Sequence, residues 1–290
     1  MKTINVLLAI LILLLWGCVF FIHGILGAAS WIIIKLILPP VGVLGILIGV
    51  IRLIKNRNKN RKSEKVFISL MVVFVLPILL LFNVIELVYP VTSDQLSPSI
   101  TIESPFKENV IIGWGGDSIS DNAPHVTWPS ERFAYDIVKA PYDMKSPINE
   151  DYGIYDMAIY APIEGTVIAV KDNEDDIIPN TEEFLSMEGN YVYIKIESTG
   201  TYLLMNHLKK NTIVVQVGDH VKVGDYLGNV GNSGSTSEPH LHIHHQRQDP
   251  QKTIHPILAE GLPLYFYDEY HNSYTGSRYE TLIFQNKKDQ

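Results

Sequence analysis

The sequence predicts a mainly β domain of antiparallel architecture, preceded by an α-helical transmembrane region. Three observations carry this. Charge is divided unevenly along the 290 residues: residues 1–90 hold 9 Lys and Arg against 2 Asp and Glu, net +7, and subtraction from the totals of 23 and 31 leaves 14 and 29, net −15, for residues 91–290. Long apolar runs occupy only the first of these parts. From about residue 109 onward the apolar residues come in brief alternating runs broken by Gly, Asn and Asp, the period-2 pattern of half-buried strands. A uniform globular chain is therefore excluded. A nucleic-acid partner is disfavoured as well, because the part free to meet a polyanion is itself strongly acidic. Cys18 is the sole cysteine and lies in an apolar run, so neither an intrachain disulfide nor a cysteine-based zinc site can form.

The apolar runs at residues 4–22, 36–54 and 66–89 each approach or exceed the roughly 20 residues a helix needs to cross the hydrocarbon core. Pro39, Pro40 and Pro77 would break soluble helices but are tolerated in a membrane, where neighbouring helices satisfy the freed backbone groups. Orientation follows from the loop between the second and third runs, where Arg52, Lys55, Arg57, Lys59, Arg61, Lys62 and Lys65 face one acid, Glu64. Short loops this basic stay in the cytoplasm. The expectation is a multi-pass protein of the plasma membrane, in contact with lipid through residues 1–90, with its carboxyl-terminal domain outside the cytoplasm. The first run could instead be a signal peptide, since Lys2 precedes the apolar core and Leu15-Trp16-Gly17-Cys18 is similar to a lipoprotein cleavage site with Cys18 as the lipidated residue. Trp16 is bulky for that position, and either arrangement exports the large domain.

Residues 91–108, rich in Ser, Thr and Pro, read as a linker, residues 109–258 as the main domain and residues 259–290 as an aromatic-rich tail. Tyr265, Phe266, Tyr267 and Tyr270 point to docking of that tail on the domain rather than disorder. Strands are expected at residues 165–170, 191–196 and 202–205, and a long irregular insertion at residues 137–163. Residues 218–225 form a compact turn segment. The run Leu227-Gly228-Asn229-Val230-Gly231-Asn232-Ser233-Gly234 places glycine every third residue, where the chain must turn tightly or admit another strand. Residues 172–190 carry seven acids and no Lys or Arg. A solvated hairpin loop is the favoured reading of that segment, and the acidic wall of a groove is the alternative. It lacks the residue order of a helix-loop-helix calcium site.

The stretch Glu238-Pro239-His240-Leu241-His242-Ile243-His244-His245 carries the chemistry. In a strand, residues two apart share a face, so His240, His242 and His244 project together while Leu241, Ile243 and His245 face the other way. Neutral imidazoles side by side suit a zinc site, and a further ring nearby can move protons. A histidine-rich stretch can be merely solvated, but the apolar alternation of Leu241 and Ile243 implies a strand with a packed side. His220, His245, His255, His271 and His23 are read as structural or exposed, and His244 as intermediate.

Gly218-Asp219 through Asn232-Ser233-Gly234, followed by Glu238-Pro239-His240-Leu241-His242, resembles the carboxyl-terminal signature of the lysostaphin-type, LytM-like, zinc metallopeptidases. Asn206-His207-Leu208 resembles that family's middle histidine motif, and Phe133-Ala134-Tyr135-Asp136 its first metal motif. The resemblance covers residues 109–258. It implies Asp136 and His242 as ligands of a catalytic zinc ion, and His207 and His240 as the catalytic pair. Such enzymes carry a histidine four residues before the aspartate, where this chain has Arg132. The nearest upstream candidate is His125, taken as the remaining ligand in a longer-spaced variant of the motif. One carboxylate and two imidazoles leave a fourth tetrahedral position open, which marks catalytic rather than structural zinc. The resemblance thus implies a membrane-anchored zinc metalloendopeptidase, a hydrolase of peptide bonds in peptidoglycan stems or cross-bridges. The alternative is a catalytically inactive relative that binds wall peptide or regulates another wall hydrolase, for which Arg132 is the best support. A biotinyl- or lipoyl-type carrier is disfavoured, because the sequence offers no lysine in the setting such modules modify.

Overall fold

The computed structural model describes residues 1–55, 61–90, 93, 96–268 and 270–283. The loop cations Arg57 and Lys59, linker residues 91, 92, 94 and 95, and tail residues 269 and 284–290 lie outside the described residues. The chain divides into two compact units, Met1–Val91 and Thr92–Gln290.

The first unit is helical: α1 (Lys2–Phe21), α2 (Ile25–Ile32), a π-helical turn (Ile33–Ile37), α3 (Leu38–Lys55), α4 (Arg61–Val75) and α5 (Ile78–Leu81). Three stretches are long and apolar enough to cross a membrane: Lys2–Phe21, Ile25–Lys55 and Arg61–Leu81. The second stretch begins eleven residues earlier than the apolar run at 36–54, because the helix continues through the π turn Ile33–Ile37, one residue short of Pro39 and Pro40. Such a turn accommodates residues that lack an N–H donor. The third ends at Leu81 rather than Tyr89, since Pro77 interrupts the ladder and residues 82–90 are not helical. Helices α3 and α4 pack through a small-residue face. A Cβ on Gly45 would stand 2.2 Å from the Met71 sulfur, and one on Gly49 would stand 2.6 Å from Ile68.

The second unit is mostly antiparallel β. Its strands are β1 (Ile100–Ile102), β2 (Val110–Trp114), β3 (Tyr135–Val138), β4 (Ala158–Tyr160), β5 (Gly165–Lys171), β6 (Asn190–Ile196), β7 (Thr201–Leu208), β8 (His220–Val221), β9 (Tyr226–Asn229), β10 (Leu241–Gln246), β11 (Gly261–Leu262), β12 (Leu264–Tyr267), β13 (Ser273–Tyr274) and β14 (Thr281–Leu282). The principal sheet runs β14-β2-β3-β10-β7-β6-β5-β8, with β11 added beside β10. β-branched and aromatic residues suited to a pleated surface build its centre, as in the Asn190–Ile196 strand NYVYIKI. One face buries Ile112, Ile137, Val167, Ile194, Leu203, Met205, Leu241 and Ile243 in the main core.

Two segments acquire structure through distant partners. Ile100–Ile102, within the expected linker, pairs in parallel with Leu264–Tyr267, and Ile102 and Phe266 are fully buried. Composition marks residues 91–108 as polar, and the strand becomes visible only when the tail supplies its neighbour. The tail also docks through β11 on β10 and β14 on β2. The expected irregular segment at 137–163 contains the end of β3 and all of β4, which pairs with β9.

Candidate active site

The site is assembled by strand register. At the centre of the sheet β3, β10 and β7 lie side by side, and His242 is directly opposite Asp136 on one neighbour and Asn206 on the other. Because Leu241 and Ile243 are fully buried in the core, the pleat sends His240, His242 and His244 to the opposite face. Asp136 Oδ1 is the focus: His242 Nδ1 lies 3.0 Å from it, His125 Nε2 3.3 Å and His240 Nε2 3.4 Å. Two overlapping sets of potential ligands share His242, one made of His125, Asp136 and His242, the other of His207, His240 and His242, with ligand atoms within 4.8 Å of one another in each.

The outward nitrogens decide the protonation of the inward ones. Asn122, fully buried, gives its Nδ2 hydrogens to the carbonyls of Gly116, Arg132 and Ala134 at 3.2, 3.4 and 3.1 Å. Its Oδ1 therefore accepts from His125 Nδ1 at 2.7 Å. His207 Nδ1 donates to the Ser233 carbonyl at 2.8 Å, and His240 Nδ1 to the Glu238 carbonyl at 2.8 Å. Since these acceptors have no proton to give, each neutral ring keeps its Nε2 as a lone pair. Bare nitrogen lone pairs beside a carboxylate repel it unless a proton or a cation lies between them. A carboxylate with imidazole nitrogens is a donor set for zinc, so the residues present fit that ion.

His207 is brought in by a bulge. Its φ of 65° lies in the left-handed region, and the β6–β7 register shifts between Asn190 and Tyr191 at the point where His207 is passed over. Such bulges re-aim a side chain at the expense of local strain. Its carbonyl anchor, Ser233, sits on Gly189 (φ 63°), where a Cβ would meet the Ser233 carbonyl oxygen at 2.2 Å. His207 and His240 have ring centroids 4.8 Å apart.

Electrostatics divide the rings. Burial opposes charge on His125, but the Asp136 carboxylate outweighs it and, with Glu131 adding, holds its pKa above the ordinary value. His240 is also raised, burial again being overcome by Asp136 and by the Glu238 carbonyl. Burial pushes Asp136 upward, yet His125 and His240 bring it well below the usual carboxylate range. Burial, followed by repulsion from His240 and His242, presses His207 well below 6.5.

Around this centre lies a groove of about 870 Å³. Its walls include Trp114, Trp128 and Glu131 from the segment before the centre, Asn180, Met187 and Glu188 from the acidic loop, and Arg278 and Tyr279 from the tail. The acidic loop is thus part wall and part anchored structure: Glu174 is buried and bonded to Lys171 and Ser186. Arg278 lies 3.3 Å over the Trp114 ring and donates its Nε–H to the Gly113 carbonyl. Sequence reasoning missed Asn122, Ser233, Trp114 and Arg278. Only the regular glycines around Ser233 offered a signal. His255, expected to be merely exposed, is exposed and lines the groove. His245 faces away from the site, bonded to Thr201 and the Pro263 carbonyl. Arg132, at the customary ligand position, turns aside to bond Asp117 at 2.6 Å and to stack on Phe133.

Fold and site together define a β-sheet protein with a histidine and carboxylate centre able to hold one metal ion in an open groove. Residues 151–255 match the model of peptidase family M23, so the chain carries an M23 domain. The matched residues include His207, His240 and His242, whereas His125 and Asp136 lie upstream of them. An uncharacterized metalloprotease of Buchnera aphidicola subsp. Baizongia pistaciae is 37% identical over 107 residues, covering 35% of this chain and 27% of that protein. The chain thus spans about a quarter of that relative's length. Among solved structures, a putative peptidase M23 of Pseudomonas aeruginosa is 19% identical with a TM-score of 0.31, covering 52% of this chain and 46% of its own. A zinc-containing peptidase of Vibrio cholerae is 20% identical with a TM-score of 0.32, covering 50% and 36% respectively.

Proposed function

We propose that this protein is a zinc metalloendopeptidase anchored in the plasma membrane by residues 1–90, with residues 109–258 as the catalytic domain outside the cytoplasm, hydrolysing peptide bonds in peptidoglycan stems or cross-bridges. The observation that carries this reading is the convergence of His125, His240 and His242 on Asp136 Oδ1 at the floor of an open groove. His125, Asp136 and His242 are the ligands. Bound there, zinc supplies Lewis-acid polarisation of the scissile carbonyl and acidifies water. His240, its Nδ1 tied to the Glu238 carbonyl, offers Nε2 as a base toward the same point. His207, tied to Ser233 and with its ring centroid 4.8 Å from that of His240, serves the oxyanion or the leaving amine. Glu131, Glu188 and Glu238 line the groove, an acidic setting that suits a peptide bearing free amines.

The basic residues between the second and third apolar helices support an inside position for that loop. With three crossings, the M23 domain then lies outside, against the wall. A second reading, an inactive wall-binding relative, draws on Arg132 at the customary ligand position.

The test uses the full chain in detergent: zinc content, and solubilisation of purified peptidoglycan beside Asp136→Ala and His242→Ala. The reading expects one zinc per chain and activity abolished in both variants. Wall binding without stoichiometric zinc or hydrolysis would replace it with the second reading.

A further inference from the structure

Beyond the centre, β10 carries its polar face onward through two residues that the reaction does not consume. His242 Nε2 lies 2.9 Å from His244 Nδ1, and His244 Nε2 lies 3.2 Å from Gln246 Oε1. Gln246 Nε2 donates to the Gln248 carbonyl at 2.7 Å. His244 and Gln246 are both buried. The three side chains alternate along one strand, residues 242, 244 and 246, so the pleat itself lines them up.

The direction of these bonds is set from the far end. A backbone carbonyl only accepts, so Gln246 must turn its NH₂ toward Gln248 and its oxygen toward His244. Turning the amide over would set two carbonyl oxygens against each other at 2.7 Å. With Oε1 facing it, His244 carries its proton on Nε2 and keeps Nδ1 as an acceptor. His242 then carries its proton on Nε2, and its Nδ1 is left as the lone pair beside Asp136. A ring free to choose would place the proton on Nδ1 instead, where the carboxylate attracts it, and the lone pair would point away from the centre.

We infer that His244 and Gln246 are positioning residues that hold His242 as the Nε2–H tautomer, so that Nδ1 is the nitrogen offered to the metal. This rests on the zinc reading above. The outer partner of a metal-bound histidine fixes both its tautomer and its orientation, and removing such a partner costs about 10–100-fold in metal affinity. Here the partner is an imidazole that cannot accept unless a second residue orders its own proton, so the device has two links.

Each link can be cut without a large change in volume. In His244→Met the acceptor is lost, whereas in His244→Asn a side-chain oxygen at the reach of Nδ1 can still accept from His242 Nε2. Gln246→Met and Gln246→Glu form the matching pair one step out. Zinc affinity of the full chain in detergent is read by competition with a chromophoric chelator. The inference expects both Met variants to bind zinc more weakly, about 10–100-fold for His244→Met, with the Asn and Glu variants close to wild type. A packing role alone would weaken both members of each pair alike, and that result overturns the inference. Wild-type affinity in both Met variants overturns it too, while leaving the zinc reading standing. If the wild-type chain takes up no zinc, the zinc reading itself fails and the inference falls with it.

Discussion

Asp136 on β3 and His242 on β10 are direct cross-strand partners, with Oδ1 and Nδ1 3.0 Å apart. Adjacent strands fix backbone spacing to a few tenths of an ångström, so two donors placed opposite each other are preorganised without help from loops. His125, by contrast, reaches the same carboxylate from a loop and depends on Asn122 for its aim.

Loss of any one of these three donors is predicted to cost zinc. Asp136→Asn and His242→Ala should lower zinc affinity more than about 100-fold, exceeding the effect of removing an outer partner. His125→Ala should also lose zinc and hydrolysis together. Equilibrium dialysis against zinc measures the first quantity, and unchanged activity in His125→Ala would remove that residue from the ligand set.

His240→Ala and His207→Ala are predicted to retain zinc while losing turnover. Removal of a positioned acid or base costs on the order of 10²–10⁴ in kcat. The two variants separate from the ligand variants by metal content measured on the same sample. A His240→Ala protein with wild-type kcat would exclude it as the base.

Gly189→Ala is predicted to destabilise the second unit by roughly 1–3 kcal/mol and to reduce activity. The added Cβ meets the Ser233 carbonyl at 2.2 Å in a backbone conformation that disfavours side chains, and that same carbonyl orients His207. Thermal unfolding gives the stability change. Gly200→Ala, also at positive φ but with nothing within 4 Å of its Cβ, should lower stability less and leave activity intact.

Stability should fall on acidification through His245, on the strand face away from the candidate site. Burial lowers the pKa of His245 to about 4. Between about 4 and 6.5 the unfolded ring is protonated and the folded ring is not, so the unfolded state binds more protons and stability rises with pH. The contribution is on the order of 3 kcal/mol, absent above about pH 7 and at its full unfavourable value below about pH 4. Denaturant unfolding of the metal-free chain at pH 7 and pH 5 should show a smaller loss in His245→Gln than in wild type. An equal pH slope in the two proteins would contradict the assignment.

How much of this was legible in the sequence varies with the range of the physics involved. Alternation in 238–245 was sufficient to put His240, His242 and His244 on one face, because strand geometry is local. The helical unit was equally legible from its apolar runs, although the ends of its helices depended on how the chain handles Pro39, Pro40 and Pro77. The strand at 100–102 was not legible, since a polar segment becomes a strand only when residue 264 and its neighbours arrive beside it.

The candidate site divides along the same line. The spacing of histidines and glycines in the sequence determined that a face of three histidines exists on one strand and that its domain stands apart from an apolar, basic segment. The sequence offered His125 only as the nearest upstream histidine; tertiary structure brought it to 3.3 Å from Asp136, through a loop pinned by Asn122 and not by any repeat. It also decided the use of each nitrogen. Which ring atom carries a proton depends on acceptors supplied by Ser233, Glu238 and Gln246, and those contacts are made only when the chain is folded.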